Sequence, residues 1–268
     1  MREKTIPRII HYCWFGGKEK PDAVIHCMDS WKKWLPDYQF VEWNETNFNI
    51  ETSNDYVREA YAHQKWAFVS DYVRLHALKN YGGIYLDTDV EVFRSFDALL
   101  DQEAFFGFES NDYLTTAVMA CCKGSMVIEA FIGKYENRHF VLENGALDTD
   151  TTNVVVLTRM LKAQGLVLNG KEQTVCGAKI YPQKYFSPND LRNVIGKYKK
   201  DNYAYHHCYA SWYKSGTPKN FLGRLRHYLL GIAKNLIGTS TLYHLKHPND
   251  QSPLTAEPGK SVEESSDE

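Results

Sequence analysis

The chain has 268 residues and a formal net charge of -2 at pH 7. That length suits one large domain with a continuous core, and the near-neutral balance argues against wholesale nucleic-acid binding. The six cysteines (Cys13, Cys27, Cys121, Cys122, Cys176, Cys208) form no C-x-x-C pair, so neither a zinc module nor a disulfide framework is expected, and a reducing cytoplasm fits best.

Met1 to Lys4 runs directly into strand-like residues rather than a long apolar leader, and no stretch has the length of a membrane span. Arg8 to Trp14 reads as a strand ending at the turn pair Gly16-Gly17. Pro21 opens a helix in which Val24, Met28, Trp31 and Leu35 share a face, and Pro36 stops it. Tyr38 to Trp43 predicts a second strand. One helix is expected from about Tyr56 to Asn80, ended by Gly82-Gly83, with a third strand over Ile84 to Phe93. This β-α-β-α-β order favours a parallel, nucleotide-binding type of sheet. Ala104 to Phe108 and Thr116 to Cys121 read as short strands, Val127 to Tyr135 and Val154 to Gln164 as helices.

The character changes after Trp212. Lys219 to Lys246 contains no acidic residue, and Phe221, Leu222, Leu225, Tyr228, Leu229, Ile232 and Leu236 form an apolar helical face opposite Arg224, His227 and Lys234. Such a face suits either an anionic membrane surface or packing against the rest of the protein. From Asp250 onward, Ser, Pro and Glu predominate, a composition expected to be disordered. The expected division is a catalytic domain over 1–215, a basic amphipathic segment over 216–247, and a tail over 248–268.

The chemistry concentrates in Ser70-Asp71-Tyr72-Val73-Arg74 and in Tyr81-Gly82-Gly83-Ile84-Tyr85-Leu86-Asp87-Thr88-Asp89-Val90-Glu91. On an extended strand, Asp87 and Asp89 share a face and can aim two carboxylates at one point. Two hard oxygen donors suit Mg²⁺ or Mn²⁺, whose remaining ligands are commonly waters and phosphate oxygens. Asp71 and Arg74, three apart on a helix, can pair with each other, while the guanidinium can face a phosphate or a sugar hydroxyl. An ordinary surface ion pair explains the same spacing, and Asp-x-Asp is frequent in loops.

Taken together with Ile6-Pro7-Arg8-Ile9-Ile10-His11-Tyr12-Cys13-Trp14-Phe15-Gly16-Gly17 and His206-His207-x-x-x-Ser211-Trp212, these motifs resemble a bacterial member of glycosyltransferase family 32, of capsular polysaccharide type. They are similar in turn to the glucosylating domains of large clostridial toxins. The resemblance implies an α/β GT-A fold, with a Rossmann-like nucleotide-binding mixed sheet flanked by helices, a retaining reaction and a divalent metal. It implies that Trp14 stacks on the donor base with Cys13 and Phe15 as neighbours, and that Asp71 and Arg74 contact the donor sugar and phosphate. Asp89 corresponds to the direct metal ligand, and Asp87 to a carboxylate on ribose, sugar or a metal-bound water.

By the same resemblance Asn153 is a donor-sugar contact, although many family members have Gly-Pro where this chain has Thr151-Thr152-Asn153. Glu109 is placed near the anomeric carbon without being named a nucleophile. In the toxins an acidic metal contact lies five positions before a lid tryptophan. Counting back from Trp212 gives His207 as the third metal ligand, with His206 as the fallback. Ser211 would bond a phosphate, Trp212 the leaving oxygen, and a His ligand would favour Mn²⁺ over Mg²⁺.

The expected partners are a nucleotide-sugar, UDP-galactose or UDP-glucose ahead of GDP-mannose, and a saccharide acceptor such as a lipid-linked oligosaccharide for a surface polysaccharide. The expected place is the cytoplasm, at the inner face of the membrane if residues 219–247 bind it. Two other classes remain open: a carbohydrate-binding protein whose acidic pair holds Ca²⁺, and a metal-dependent nucleotidyltransferase or phosphohydrolase.

Overall fold

The computed structural model describes residues 5–187 and 202–207. Its core is a seven-stranded mixed sheet. Strand β1 (Ile9–Cys13) pairs in parallel with β2 (Gln39–Trp43) on one side and with β3 (Gly83–Leu86) on the other. β3 then pairs antiparallel with β6 (Leu114–Cys121), which pairs antiparallel with β5 (Ala104–Phe108). β5 runs parallel to β8 (Ala178–Tyr181), and β7 (Gln173–Val175) closes the edge antiparallel to β8. The strand order is β2-β1-β3-β6-β5-β8-β7, and a separate two-stranded ribbon joins β4 (Val90–Val92) to β9 (Ala204–His206). The expected α/β class with a mixed sheet flanked by helices is thus met, and the antiparallel half begins at β6.

The central strands are buried on both faces, so their residues alternate between two cores rather than between core and solvent. Ile84, Leu86, Val118, Ala120 and Phe105 enter one core with Trp31 of α1 (Asp22–Trp34) and Leu35, which caps that helix. Tyr85, Met119, Cys121, Phe106 and Phe108 enter the other, beneath α2 (Asp55–Ala62), α3 (Trp66–Tyr81), α4 (Met126–Ile132) and α5 (Asn153–Lys162). α1 covers one face on the way from β1 to β2, and α2 and α3 cover the other on the way from β2 to β3. The order in which strands are added therefore reverses between β1 and β3, the switch point at whose C-terminal ends open α/β sheets bind ligands.

Two local features set the limits of α3. The single helix expected from Tyr56 to Asn80 is split, because Gln64 takes a left-handed backbone (φ 55°) between α2 and α3. At the other end of α3, Gly82 and Gly83 both have positive φ, and a Cβ on Gly83 would stand 2.6 Å from the carbonyl of Ile9. Only glycine lets β3 start this close to β1. His11 pins the same corner: its Nε2 lies 2.9 Å from the Gly82 carbonyl, and its Nδ1 accepts from Trp43 Nε1 at 3.2 Å. The carbonyl needs a donor, so the ring is the neutral Nε2–H tautomer.

The strand expected over Ile84 to Phe93 is also divided. Asp87 N–H still donates to the Ala117 carbonyl at 2.9 Å, but Val90 N–H then returns to the Asp87 carbonyl at 3.0 Å. Asp87-Thr88-Asp89 is therefore a turn, which suits residues whose short polar side chains bond nearby backbone. Beyond it β4 leaves the main sheet to pack on α1, where Trp31 Nε1 donates to the Val90 carbonyl (2.6 Å) and Val92 N–H donates to Ser30 Oγ (2.9 Å). Among the described residues no helix is long and apolar enough to cross a membrane. Segments 208–215, 216–247 and 248–268 of the expected division lie outside the described residues.

Candidate active site

Asp71 and Arg74 lie one turn apart on α3, facing the end of β3. Arg74 is only 4% exposed, and each guanidinium nitrogen meets an acceptor. Nε donates to the Ser70 carbonyl (3.1 Å), Nη1 donates to the Thr116 carbonyl of β6 (2.9 Å) and faces Asp87 Oδ1 (3.3 Å), and Nη2 faces Asp71 Oδ1 (3.0 Å). Its plane lies over the Tyr85 ring, 4.5 Å from the centroid, and Tyr85 Oη donates to Asp87 Oδ1 at 3.0 Å. Burial works to strip Arg74 of its proton, but Asp87, Tyr85 and Asp71 more than offset it and hold its pKa above the ordinary value. For Asp71 the balance falls the other way: burial dominates, Arg74 opposes it, and the carboxyl is pushed up to about 6.

Arg74 was expected to pair with Asp71 and to face a phosphate or a sugar hydroxyl. The structure pairs it with Asp71 and also gives it Asp87 and two backbone carbonyls, because a buried guanidinium needs acceptors. Tyr85 was missed by the sequence reading, although its position two residues before Asp87 on an alternating strand puts both side chains on one face.

Asp87 and Asp89 do converge, from a turn rather than from one strand. With His206 they form the one group of metal-capable side chains among the described residues, their ligand atoms all within 4.8 Å of one another. His206 Nε2 stands 3.3 Å from Asp89 Oδ1. His207 was expected in this place, and the structure puts the fallback residue there instead. β9 is extended, so its neighbours point oppositely: His207 turns to Glu91, with Nε2 2.9 Å from Oε2, while its N–H donates to the Asp89 carbonyl at 3.0 Å.

Trp14 continues β1 by one residue, its N–H donating to the Trp43 carbonyl (2.9 Å) and its Nε1 to the Lys18 carbonyl (2.6 Å). It is half-buried, with Lys20 Nζ over its ring at 5.5 Å. Its neighbours are more enclosed. Cys13 is buried beside Arg74, Tyr85 and Ser70, and burial pushes its thiol up to about 12, so it is neutral. Phe15 is a core residue, edge-on to Phe48.

Asn153 opens α5 and is buried against α3: its Nδ2 donates to the Asp71 carbonyl (2.9 Å), and its Oδ1 accepts from Tyr135 Oη. Its amide is therefore engaged at both ends by protein. Glu109 lies past β5, its carbonyl held by Gln183 Nε2 and its N–H by the Tyr113 carbonyl. Ser211 and Trp212 lie outside the described residues.

The geometry is thus an acidic turn at the switch point of the sheet, one imidazole from a distant strand, and an Asp71–Arg74–Asp87 network around a buried guanidinium. Residues 21–106 match the family described as glycosyltransferase sugar-binding region containing DXD motif. That stretch runs from α1 into β5 and contains Asp71, Arg74, Asp87 and Asp89, while Trp14, Asn153 and His206 lie outside it. The chain is 32% identical over 123 residues to inositol phosphoceramide mannosyltransferase 3 of Schizosaccharomyces pombe, covering 45% of this chain and 34% of the relative. It is 21% identical over 255 residues to subversion of eukaryotic traffic protein A of Legionella pneumophila, covering 76% of this chain and 38% of that protein. The chain spans little more than a third of the length of these two curated relatives. Among solved structures, the PaToxG glycosyltransferase aligns with a TM-score of 0.45 and 18% identity, over 60% of this chain and 72% of that one.

Proposed function

We propose that this chain is a metal-dependent, retaining glycosyltransferase of GT-A type that moves a hexose from a nucleotide-sugar to a saccharide acceptor. The observation that carries this reading is the convergence of Asp87, Asp89 and His206 at the switch point of the sheet, beside the buried Arg74 guanidinium that Asp71 and Asp87 share. Two carboxylate oxygens and one imidazole suit a divalent cation that accepts mixed oxygen and nitrogen ligands, which favours Mn²⁺ over Mg²⁺. Such an ion supplies positive charge where a diphosphate departs.

The chain's own residues do the rest. Asp87, Asp89 and His206 would hold the ion, and Arg74 with Tyr85 fixes the Asp87 carboxylate so that little rearrangement would be needed. Asp71 presents a carboxylate to sugar hydroxyls, and the Trp14 ring offers a face to a base. By the family resemblance, Ser211 and Trp212 would complete the diphosphate contacts. In the reaction the bond from the anomeric carbon to the diphosphate oxygen breaks, an acceptor oxygen bonds to that carbon, and the acceptor hydroxyl's proton passes to the departing nucleoside diphosphate.

UDP-galactose or UDP-glucose is the favoured donor. A second reading, GDP-mannose, draws on the mannosyltransferase name of the S. pombe relative. A lipid-linked oligosaccharide for a surface polysaccharide is the proposed acceptor, used at the cytoplasmic face of the membrane, with residues 219–247 as the segment that would touch it. Liposome co-sedimentation with and without residues 219–268 tests that contact.

The deciding experiment is a panel of UDP-galactose, UDP-glucose and GDP-mannose with Mn²⁺, scored for release of nucleoside diphosphate. One donor should be consumed in a metal-dependent manner, and Asp89→Asn should abolish turnover while keeping the fold. Release of sugar phosphate would instead identify a nucleotidyltransferase, and sugar binding without nucleotide dependence a carbohydrate-binding protein.

A further inference from the structure

β4 is three residues long, yet it is held on every side. α1 grips one edge through Trp31 and Ser30, and β9 pairs with the other in the register Val90–His206, Glu91–Tyr205 and Val92–Ala204. Two-stranded ribbons this short are marginal on backbone bonds alone. The side chain that adds to them is Glu91, only 15% exposed, whose two carboxylate oxygens reach in two directions. Oε1 stands 3.5 Å from His26 Nε2 of α1, and Oε2 stands 2.9 Å from His207 Nε2. Glu91 and His207 are diagonal neighbours on one face of the ribbon, the arrangement in which cross-strand side chains meet.

His207 is thereby fastened twice, by its ring to Glu91 and by its N–H to the Asp89 carbonyl. The residue before it is His206, whose ring faces Asp89 from the opposite side of the strand. Glu91 is not itself among the close-set metal-capable groups. We propose that Glu91 is a positioning residue: through His207 it fixes β9 against β4 so that His206 reaches Asp87 and Asp89, and it thereby sets the affinity of that site for a divalent cation. This inference rests on the metal-site reading above. Residues that orient metal ligands without touching the ion commonly change affinity by about 10- to 100-fold when removed.

The test is Mn²⁺ affinity, without nucleotide, read from the free-ion electron paramagnetic resonance signal. Asp89→Asn should remove binding. Glu91→Ala should weaken it by about 10- to 100-fold. Glu91→Gln should retain most of it, because an amide oxygen still accepts from an imidazole N–H. His207→Ala should lose as much as Glu91→Ala, and the double variant no more than either. In a His206→Ala background, Glu91→Ala should add little, because the route through His206 is already gone; this is the readout that a general loss of stability or of negative charge would not give. Wild-type affinity in both Glu91→Ala and His207→Ala, or an equal further loss in the His206→Ala background, overturns the proposal. Equal Mn²⁺ binding by wild type and Asp89→Asn would overturn the metal site itself, an outcome visible before any Glu91 variant is compared.

Discussion

The two charged clusters of the site are built on different principles. Asp71 and Asp87 share Arg74, which is buried between α3 and β6 and has protein acceptors for every nitrogen. Asp89 and His206 come from a turn and from a three-residue strand, with side chains 17% and 16% exposed. Asp71 and Arg74 belong to the core and are organised when the chain folds, and Asp87, 26% exposed, extends their network into the turn. Asp89 and His206 meet beside it on partly exposed side chains, where a cation can organise them further. Removing a partner from a buried ion network leaves uncompensated charge, whereas a partly exposed pair contributes less. Arg74→Ala should therefore destabilise the protein by about 3–5 kcal/mol, and Asp89→Asn by less than about 1 kcal/mol, in urea unfolding without metal. Equal losses would mean that the difference in burial has no energetic consequence.

The same contrast holds for histidines. His206 stands at the rim, while His11 is 1% exposed behind the site, and burial, opposed by its bond to Gly82, holds its pKa down to about 4. A depressed histidine makes the unfolded state the better proton acceptor below its own pKa near 6.5, so stability falls as pH drops from 6.5 to 4 and is flat above. Asp71, pushed up to about 6 chiefly by burial, works with the opposite sign over an overlapping range, because the folded state takes its proton first. The two partly cancel in the wild type, so the signature lies in a difference. Relative to His11→Gln, which can still donate to the Gly82 carbonyl, the wild type should lose about 3 kcal/mol between pH 6.5 and 4. A pH-independent difference would show that His11 protonates freely in the folded state.

What the sequence made legible follows the same division. Elements with strong periodicity, such as α1 with Val24 and Trp31 on one face, and β5 over Ala104–Phe108, stand where the pattern puts them. The Asp71–Arg74 spacing likewise announced a pair. The break between α2 and α3 was hidden, because Gln64 carries no punctuation signal, and the β7–β8 hairpin turns on Cys176-Gly177, both with positive φ, where asparagine or aspartate would have marked the turn. The Asp-Thr-Asp turn was read as strand because its flanks, Ile84 to Leu86 and Val90 to Val92, are both strand-like. They belong to different sheets, a tertiary fact that alternation cannot encode. The choice between His206 and His207 depended on the register of β9 against β4, which no local pattern sets.

The smallest expected effect tests the aromatic residue at the end of β1. Trp14 is held by backbone and indole bonds to Trp43 and Lys18, so its place does not depend on a ligand. It differs in this from Phe15, which is buried against Phe48 and has no face to offer. Stacking of a base on an aromatic ring is worth about 1–3 kcal/mol by alanine substitution, so Trp14→Ala should weaken UDP binding by about 10-fold. The indole bond to Lys18 is a single hydrogen bond near the surface, so the apo protein should lose only about 1 kcal/mol. Isothermal titration with UDP and with uridine, each in the presence of Mn²⁺, separates the contributions. Loss of stacking weakens both ligands by the same factor, because both carry the base, whereas a disturbed metal turn weakens UDP alone. An unchanged affinity for both would assign Trp14 to the scaffold of the β1 end and move the base elsewhere in the site.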